Sequence, residues 1–360
     1  MTDRILKVAV TGLGVSQQYL PKYVEASEMA LEIVHDIDAE RAREVAERFG
    51  APRWTTDFDE VLSSGVDMLD VSTPNQLHAP QTVAALEAGV NVLCQKPMAP
   101  TVADCKAMVD AAERSDARLA MFMTRRDNPY SNDLRRIVAE GYLGKIAAVR
   151  IRSAHRGPYL RKGKDHWRAK ASNIGGGSLM QLTVHALNYS LWMLGESVTR
   201  VTGFAKNLYC QHSLEGEDVV AAAAELESGA LMTMEAGYSS VGHAMEFYGT
   251  EGSLLWGRTD GLTVMLQKDF EGELIHYKVG DVPEAPLRID PRAHDERAKD
   301  IAAERNGQRA FARAILSGGE FDTPAEIGMR DVAICQAVYR SSDEGRPVEV
   351  AEMLREAGAA

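Results

Sequence analysis

The chain has 360 residues, 45% hydrophobic and 26% charged, values that fit two globular domains with large cores and exclude a disordered chain. A formal net charge of -12 gives the chain no attraction for polyanions, which argues against nucleic acid as a main partner. No stretch is long and apolar enough to span a bilayer, and Met1-Thr2-Asp3-Arg4 leads straight into a strand-like segment without a secretory h-region, so a cytoplasmic chain with no membrane partner is expected.

Strands and helices alternate through the first third. Ile5–Val10 is a nearly continuous apolar run, as a buried parallel strand should be, and a helical stretch follows it. Leu31–Val34 reads as a second strand, and Ala39–Phe49 as a helix ending at Gly50. Met68–Val71 and Asn91–Cys94 are the third and fourth strands, with a helix over Pro80–Ala88 that stops at Gly89. Thr101, with Asp104 three residues on, caps a helix running to about Arg114, and Leu119–Met123 is a fifth strand. Such repeats predict an α/β fold with an N-terminal doubly wound parallel sheet.

The pattern changes near Thr124. A helix is expected over Ser131–Glu140, then strands over Ala147–Ala154, Val198–Lys206, Val219–Glu227, Ala230–Ala236, Met245–Tyr248, Ser253–Trp256, Leu262–Leu266 and Glu273–Lys278. Ser228-Gly229 and Glu251-Gly252 are hairpin signals, so this part is expected to be antiparallel. Pro283–Arg297 reads as a loop, and two helices close the chain, the second starting at the capping box Thr323-Pro324-Ala325-Glu326. The domains expected are 1–124 and 125–360, with terminal helices able to pack back on the first.

Four scattered cysteines, Cys94, Cys105, Cys210 and Cys335, lack CxxC spacing, and the histidines lack ligand spacing. Free thiols in a reducing compartment are expected, and no metal.

Gly12-Leu13-Gly14 follows the first strand directly, where a pyrophosphate needs close backbone approach and a helix N-terminus. Gln17 stands where the full fingerprint has a third glycine. Asp36 closes the second strand at the distance expected of a ribose 2′-OH ligand. An acid there repels a 2′-phosphate, which favours NAD over NADP.

Val71-Ser72-Thr73-Pro74-Asn75-Gln76-Leu77-His78-Ala79-Pro80, Ala84-Ala85-Leu86-Glu87-Ala88-Gly89-Val90-Asn91-Val92-Leu93-Cys94-Gln95-Lys96-Pro97-Met98-Ala99 and Gly175-Gly176-Gly177-Ser178-Leu179-Met180-Gln181-Leu182-Thr183-Val184-His185 together resemble the Gfo/Idh/MocA family of oxidoreductases. The resemblance spans nearly the whole chain. It implies a Rossmann domain followed by a C-terminal α/β domain whose large open, mainly antiparallel sheet often mediates oligomers, here a homodimer or homotetramer. It also implies hydride exchange between a nicotinamide and a hydroxyl or keto group of a sugar, sugar acid, inositol or similar polyol.

The family's lysine is Lys96 and its helical histidine His185, both expected to be catalytic. Its Glu-Lys-Pro motif is Gln95-Lys96-Pro97 here, and its catalytic aspartate is Gln181, which cannot accept a proton. Without a carboxylate beside it, Lys96 is expected to titrate lower. Lys96, at a strand's carboxyl end, would bond the reacting oxygen. His185, four residues after Gln181 on one helical face, would take the proton, with Gln181 as an orienting amide.

The cofactor set expected is Gly12, Gly14, Val15, Asp36, Thr73, Asn75, His78, Gln95 and Lys96. Lys96, His155, Trp167, Arg168, Gln181 and His185 are the expected substrate set, with Trp167 stacking on a sugar face in the basic segment His155–Lys170 and with Arg126 and Tyr238 as further candidates. Two other readings stay open: a redox-neutral enzyme in which bound NAD transiently oxidises a sugar to enable elimination or hydrolysis, and a non-catalytic nucleotide sensor.

Overall fold

The computed structural model describes residues 4–127, 131–157, 162–257, 261–267, 274–278 and 307–359. They divide into two compact units, one of Met1–Asp127 with Ala303–Arg330, the other of Asn128–Ala302 with Asp331–Ala360.

The first unit holds β1 (Leu6–Thr11), α1 (Leu20–Val24), β2 (Met29–His35), α2 (Ala39–Phe49), β3 (Arg53–Thr55), α3 (Phe58–Leu62), β4 (Met68–Val71), α4 (His78–Glu87), β5 (Asn91–Gln95), α5 (Val102–Arg114) and β6 (Leu119–Phe122). The six strands are parallel, in the order β3-β2-β1-β4-β5-β6. The order reverses between β1 and β4, the place where open α/β sheets bind ligands. Val8, Ala9 and Val10 are fully buried, as the continuous apolar run requires of a strand covered on both faces. Two local signals act as expected. Gly50 ends α2 in the left-handed region, and the Thr101 side chain accepts the Asp104 N–H at the start of α5.

The second unit is built on a nine-stranded sheet. Its early elements are α6 (Ser131–Ala139), β7 (Ile146–Ala154), α7 (Ala171–Ile174) and α8 (Val184–Leu194). The strands β8 (Val198–Lys206), β9 (Val219–Leu226), β10 (Leu231–Gly237), β11 (Gly242–Gly249), β12 (Gly252–Gly257), β13 (Gly261–Gln267) and β14 (Leu274–Lys278) follow. After them α9 (Gly307–Ser317) belongs to the first unit, and the division between units falls inside α10 (Ala325–Glu344). A two-residue strand, β15 (Val348–Glu349), and α11 (Val350–Glu356) close the chain. The sheet order is β14-β13-β12-β11-β7-β10-β9-β8-β15. Every neighbouring pair is antiparallel except β7 and β10, which run parallel. Burial alternates along β9 and β10, so one face is covered and the other open.

Several expectations need correction. The stretch after Gly14 is a 3₁₀ turn, Ser16–Gln18, followed by the five-residue α1, rather than one continuous helix. β3 and α3 were not expected. They are three and five residues long, too short to show a period. Three helices, not two, lie within residues 307–359, because α11 (Val350–Glu356) starts from Glu349, whose backbone N–H is taken by the Glu352 side chain, with no Ser or Thr cap to mark it. Thr323 also binds β6: its hydroxyl donates to the Met121 carbonyl and its own carbonyl accepts the Met121 N–H. The expected loop at Pro283–Arg297 lies outside the described residues.

Candidate active site

In the first unit the expected cofactor residues gather at the carboxyl ends of β1, β2, β4 and β5. Gly12 has φ +85° and donates its N–H to the His35 carbonyl. A Cβ there would lie 2.6 Å from backbone atoms of Ser72 and Thr73, so only glycine lets β1 and β4 close at the switch point. Gly14 differs. It is exposed, and a Cβ on it would meet nothing of the chain within 4 Å. Val15 beside it is half-exposed. Gln17 binds its own turn, donating to the Leu13 carbonyl at 2.6 Å and accepting from Arg48 at 3.0 Å.

Asp36 is buried at the end of β2. Its carboxylate accepts the Leu13 N–H at 2.8 Å and the Asp38 N–H at 3.0 Å, and pairs with Arg41 at 3.0 Å. The same carboxylate thus holds the glycine turn in place. Arg41, one turn into α2, is a cation that the sequence reading did not single out.

Thr73 donates its hydroxyl to Gln81 at 2.6 Å, and Asn75 is buried in the 3₁₀ turn Asn75–Leu77. The His78 ring is buried, with Nδ1 2.9 Å from the Pro97 carbonyl and Nε2 2.9 Å from the Thr73 carbonyl. It therefore braces the Thr73 loop against the turn that carries Lys96. Burial pulls its pKa down, against the pull of the Thr73, Pro97 and Met98 backbone groups.

Lys96 is partly exposed, and the Lys96–Pro97 peptide is cis. Among the described residues, the Gln95 amide nitrogen is buried with no hydrogen-bond partner. A buried N–H donor left open beside Lys96 fits an acceptor from outside the chain. Open room over Gly14, the open donor on Gln95 and the acid at the end of β2 together suit a dinucleotide.

Asp70 on β4 is a second buried acid that sequence reading missed. It accepts from Tyr23 at 2.6 Å and Ser72 at 2.5 Å, and burial raises its pKa to about 6. It anchors Ser72, against which Gly12 packs.

In the second unit the glycine-rich motif leads into a π turn, Leu179–Thr183, continued by α8. π turns recur at functional sites. From Gly177 to Met193 every residue is buried except His185. An apolar helical run otherwise buried thus keeps one imidazole partly exposed. Gln181, buried in the π turn, donates its amide to the Ile174 carbonyl at 3.4 Å.

Ile174 belongs to a small apolar cluster with Leu182, Cys210, Leu214 and Tyr238, on which Trp167 packs. The Arg168 guanidinium lies 4.6 Å over the Trp167 ring, a cation–π contact that covers one of its faces. His155 lies 6.5 Å from the Tyr238 ring and 6.2 Å from His243. The unit therefore brings Gln181, Trp167, Arg168, Tyr238 and His155 into one neighbourhood, and adds His243. Residues 158–161 of the basic segment lie outside the described residues. Arg126 is in the first unit, where it donates to the Asp322 carbonyl at 2.6 Å. Among the described residues no group of three or more His, Cys, Asp or Glu is placed to hold a metal.

Comparison with known proteins adds the family. Residues 6–123 match a Gfo/Idh/MocA model described as an oxidoreductase family with an NAD-binding Rossmann fold, and residues 132–255 match a model of that family's C-terminal domain. A 1,5-anhydro-D-fructose reductase of Ensifer adhaerens is 29% identical over 316 residues, 87% of this chain and 88% of that protein. A D-apiose dehydrogenase of Paraburkholderia graminis is 28% identical over 376 residues, 99% of this chain and 93% of that protein. The crystal structure of aldose-aldose oxidoreductase from Caulobacter crescentus, complexed with glycerol, superposes with a TM-score of 0.80 at 25% identity, covering 96% of this chain and 100% of that one.

Proposed function

The chain belongs to the Gfo/Idh/MocA oxidoreductase family, and on that premise we propose that it is an NAD-dependent dehydrogenase or reductase acting on a hydroxyl or keto group of a sugar, sugar acid or polyol. The observation that carries this reading is His185, the one unburied residue between Gly177 and Met193. A partly exposed imidazole there suits proton transfer with an alcohol.

NAD, when bound, supplies the hydride acceptor for oxidation and, reduced, the donor for the reverse. Lys96 hydrogen-bonds the reacting oxygen and stabilises its developing charge. His185 takes the hydroxyl proton. Gln181 cannot take a proton and orients the substrate with its amide. Asp36 favours NAD, because a 2′-phosphate would meet its carboxylate. We read the protein as cytoplasmic, since its four cysteines are buried free thiols. We read it as a homodimer or homotetramer, since Phe204 on β8 and Leu231 on β10 are 68% and 61% exposed.

The test is a panel of sugars, sugar acids and inositols with NAD+ at mildly alkaline pH, followed by NADH absorbance. Turnover on at least one polyol is expected. NAD binding by calorimetry with no turnover on any member would replace the dehydrogenase reading by a nucleotide sensor. Substrate conversion without NADH release would replace it by the redox-neutral one.

A further inference from the structure

The second unit buries an acid that the chemistry above does not use. Glu217 stands two residues before β9, and its carboxylate Oε1 accepts the Leu179 N–H at 2.8 Å and the Tyr339 hydroxyl at 3.1 Å. The Tyr339 oxygen in turn accepts the Met180 N–H at 3.2 Å, and the Glu217 carbonyl accepts the Ser178 N–H at 2.9 Å. These are the first amides of the helical run that carries Gln181 and His185, the donors that a helix start leaves open. An anion there also meets the positive end of the helix.

The glycines of the motif record how close this contact is. A Cβ on Gly177 would lie 2.0 Å from the Glu217 carbonyl oxygen and 2.7 Å from Oε2. One on Gly176 would lie 2.2 Å from the Tyr339 hydroxyl, and one on Gly216 would lie 2.1 Å from the Gly176 carbonyl. Asp218 fixes the segment from the other side by accepting the N–H groups of Leu208, Tyr209 and Cys210 at 2.7 to 2.8 Å.

We propose that Glu217, with Tyr339, is a positioning residue: it grips the start of the helix and so sets where Gln181 and His185 stand for reaction. The kinetic part of this claim rests on the dehydrogenase reading. The clamp itself does not. Burial pushes the Glu217 carboxyl up to about 7, against the pull of the Leu179 and Gly177 amides and the Tyr339 hydroxyl. Tyr339 and Cys335 of α10 face it, and burial raises both well above their ordinary values, so they stay neutral around pH 7. On protonation near pH 7 the carboxyl loses the charge that holds the amides, and kcat falls on the acid side through this ionisation.

The test uses Glu217→Gln and Tyr339→Phe in the full chain. Hydrogen exchange over residues 175–185 is expected to accelerate about tenfold at the Leu179 and Met180 amides in both variants. kcat is expected to fall about tenfold, with the substrate KM and the NAD Kd within about twofold. In Glu217→Gln the acid limb of the kcat profile is expected to lose the slope of one proton, which a purely structural contact would leave in place. Unchanged exchange overturns the clamp, and faster exchange with unchanged kcat overturns the positioning role. If Glu217→Gln does not fold, Tyr339→Phe, which removes one oxygen, decides the exchange and the kcat arms. If the wild-type chain turns over no sugar, it is the dehydrogenase reading that fails, and exchange still decides the clamp.

Discussion

Gly12 and Gly14 stand two residues apart in one motif, and the structure gives them different work, so alanine at each separates packing from ligand binding. At Gly12 an alanine faces two costs. The backbone is at φ +85°, a region that costs an ordinary residue about 1–2 kcal/mol. The added Cβ also lies 2.6 Å from three backbone atoms of Ser72 and Thr73, which cannot turn aside as a side chain would, and forced backbone shifts of this kind cost about 1–3 kcal/mol. Gly12→Ala should therefore destabilise the first unit by about 2–5 kcal/mol. Gly14→Ala meets nothing within 4 Å and should change stability by less than about 0.5 kcal/mol. Its methyl would occupy the room assigned to the pyrophosphate, and the NAD Kd should rise at least about tenfold, near 1.4 kcal/mol. Scanning calorimetry reads the first effect and isothermal titration with NAD the second. A Gly12→Ala chain as stable as wild type would refute the packing argument, and an unchanged NAD Kd in Gly14→Ala would refute the assignment of the shelf.

Lys96→Ala and His185→Ala should each lower kcat by about 10²–10⁴ with the NAD Kd within a few-fold, read by steady-state kinetics beside NAD titration; a variant retaining full kcat removes its residue from the proton work. Asp36→Ala should weaken NAD about tenfold and improve NADP, because it removes the carboxylate that a 2′-phosphate would meet and leaves Arg41, still paired with Asp38 at 3.0 Å, beside that position. Paired Kd values for the two nucleotides check this, and an unaltered ratio sinks it. Asp70 binds its proton more tightly when folded, with a pKa near 6 against an ordinary 3.8. Its contribution to stability is complete below about pH 4 and is lost as pH rises toward 6. Asp70→Asn should therefore gain on wild type by up to about 1.4 kcal/mol per pH unit across that window, then run level. Urea unfolding at a series of pH values measures the difference, and a flat one refutes it.

What the sequence made legible follows from which signals are local. The range of α2, the Thr101 cap and the full length of β8 can be read directly, because apolar spacing and cap chemistry lie within the segment itself. Asp36, Lys96 and His185 stand out because a strand end or a motif marks each. The Glu217–Tyr339 contact joins residues 122 apart, and nothing in either segment points to the other. The signal present was Glu215-Gly216-Glu217-Asp218, acids set just before an alanine-rich strand. The parallel pairing of β7 with β10 is hidden for the same reason: strand propensity does not name a partner. The motif glycines Gly176 and Gly177, which carry the family resemblance, are required where they stand by the close approach of Tyr339 and Glu217.

The divided first unit has a consequence in time. Arg118 donates to the carbonyls of Ala314 and Gly319, and Glu28 pairs with Arg309 and Arg313, so that unit lacks these partners until synthesis has passed Gly319. At ribosomal rates of about 5–20 residues per second, the stretch from Asp127 to Ala303 delays them by roughly 10–35 seconds. During that interval β5 and β6 wait without α9, which packs against both, and the apolar surface that it will cover stays open.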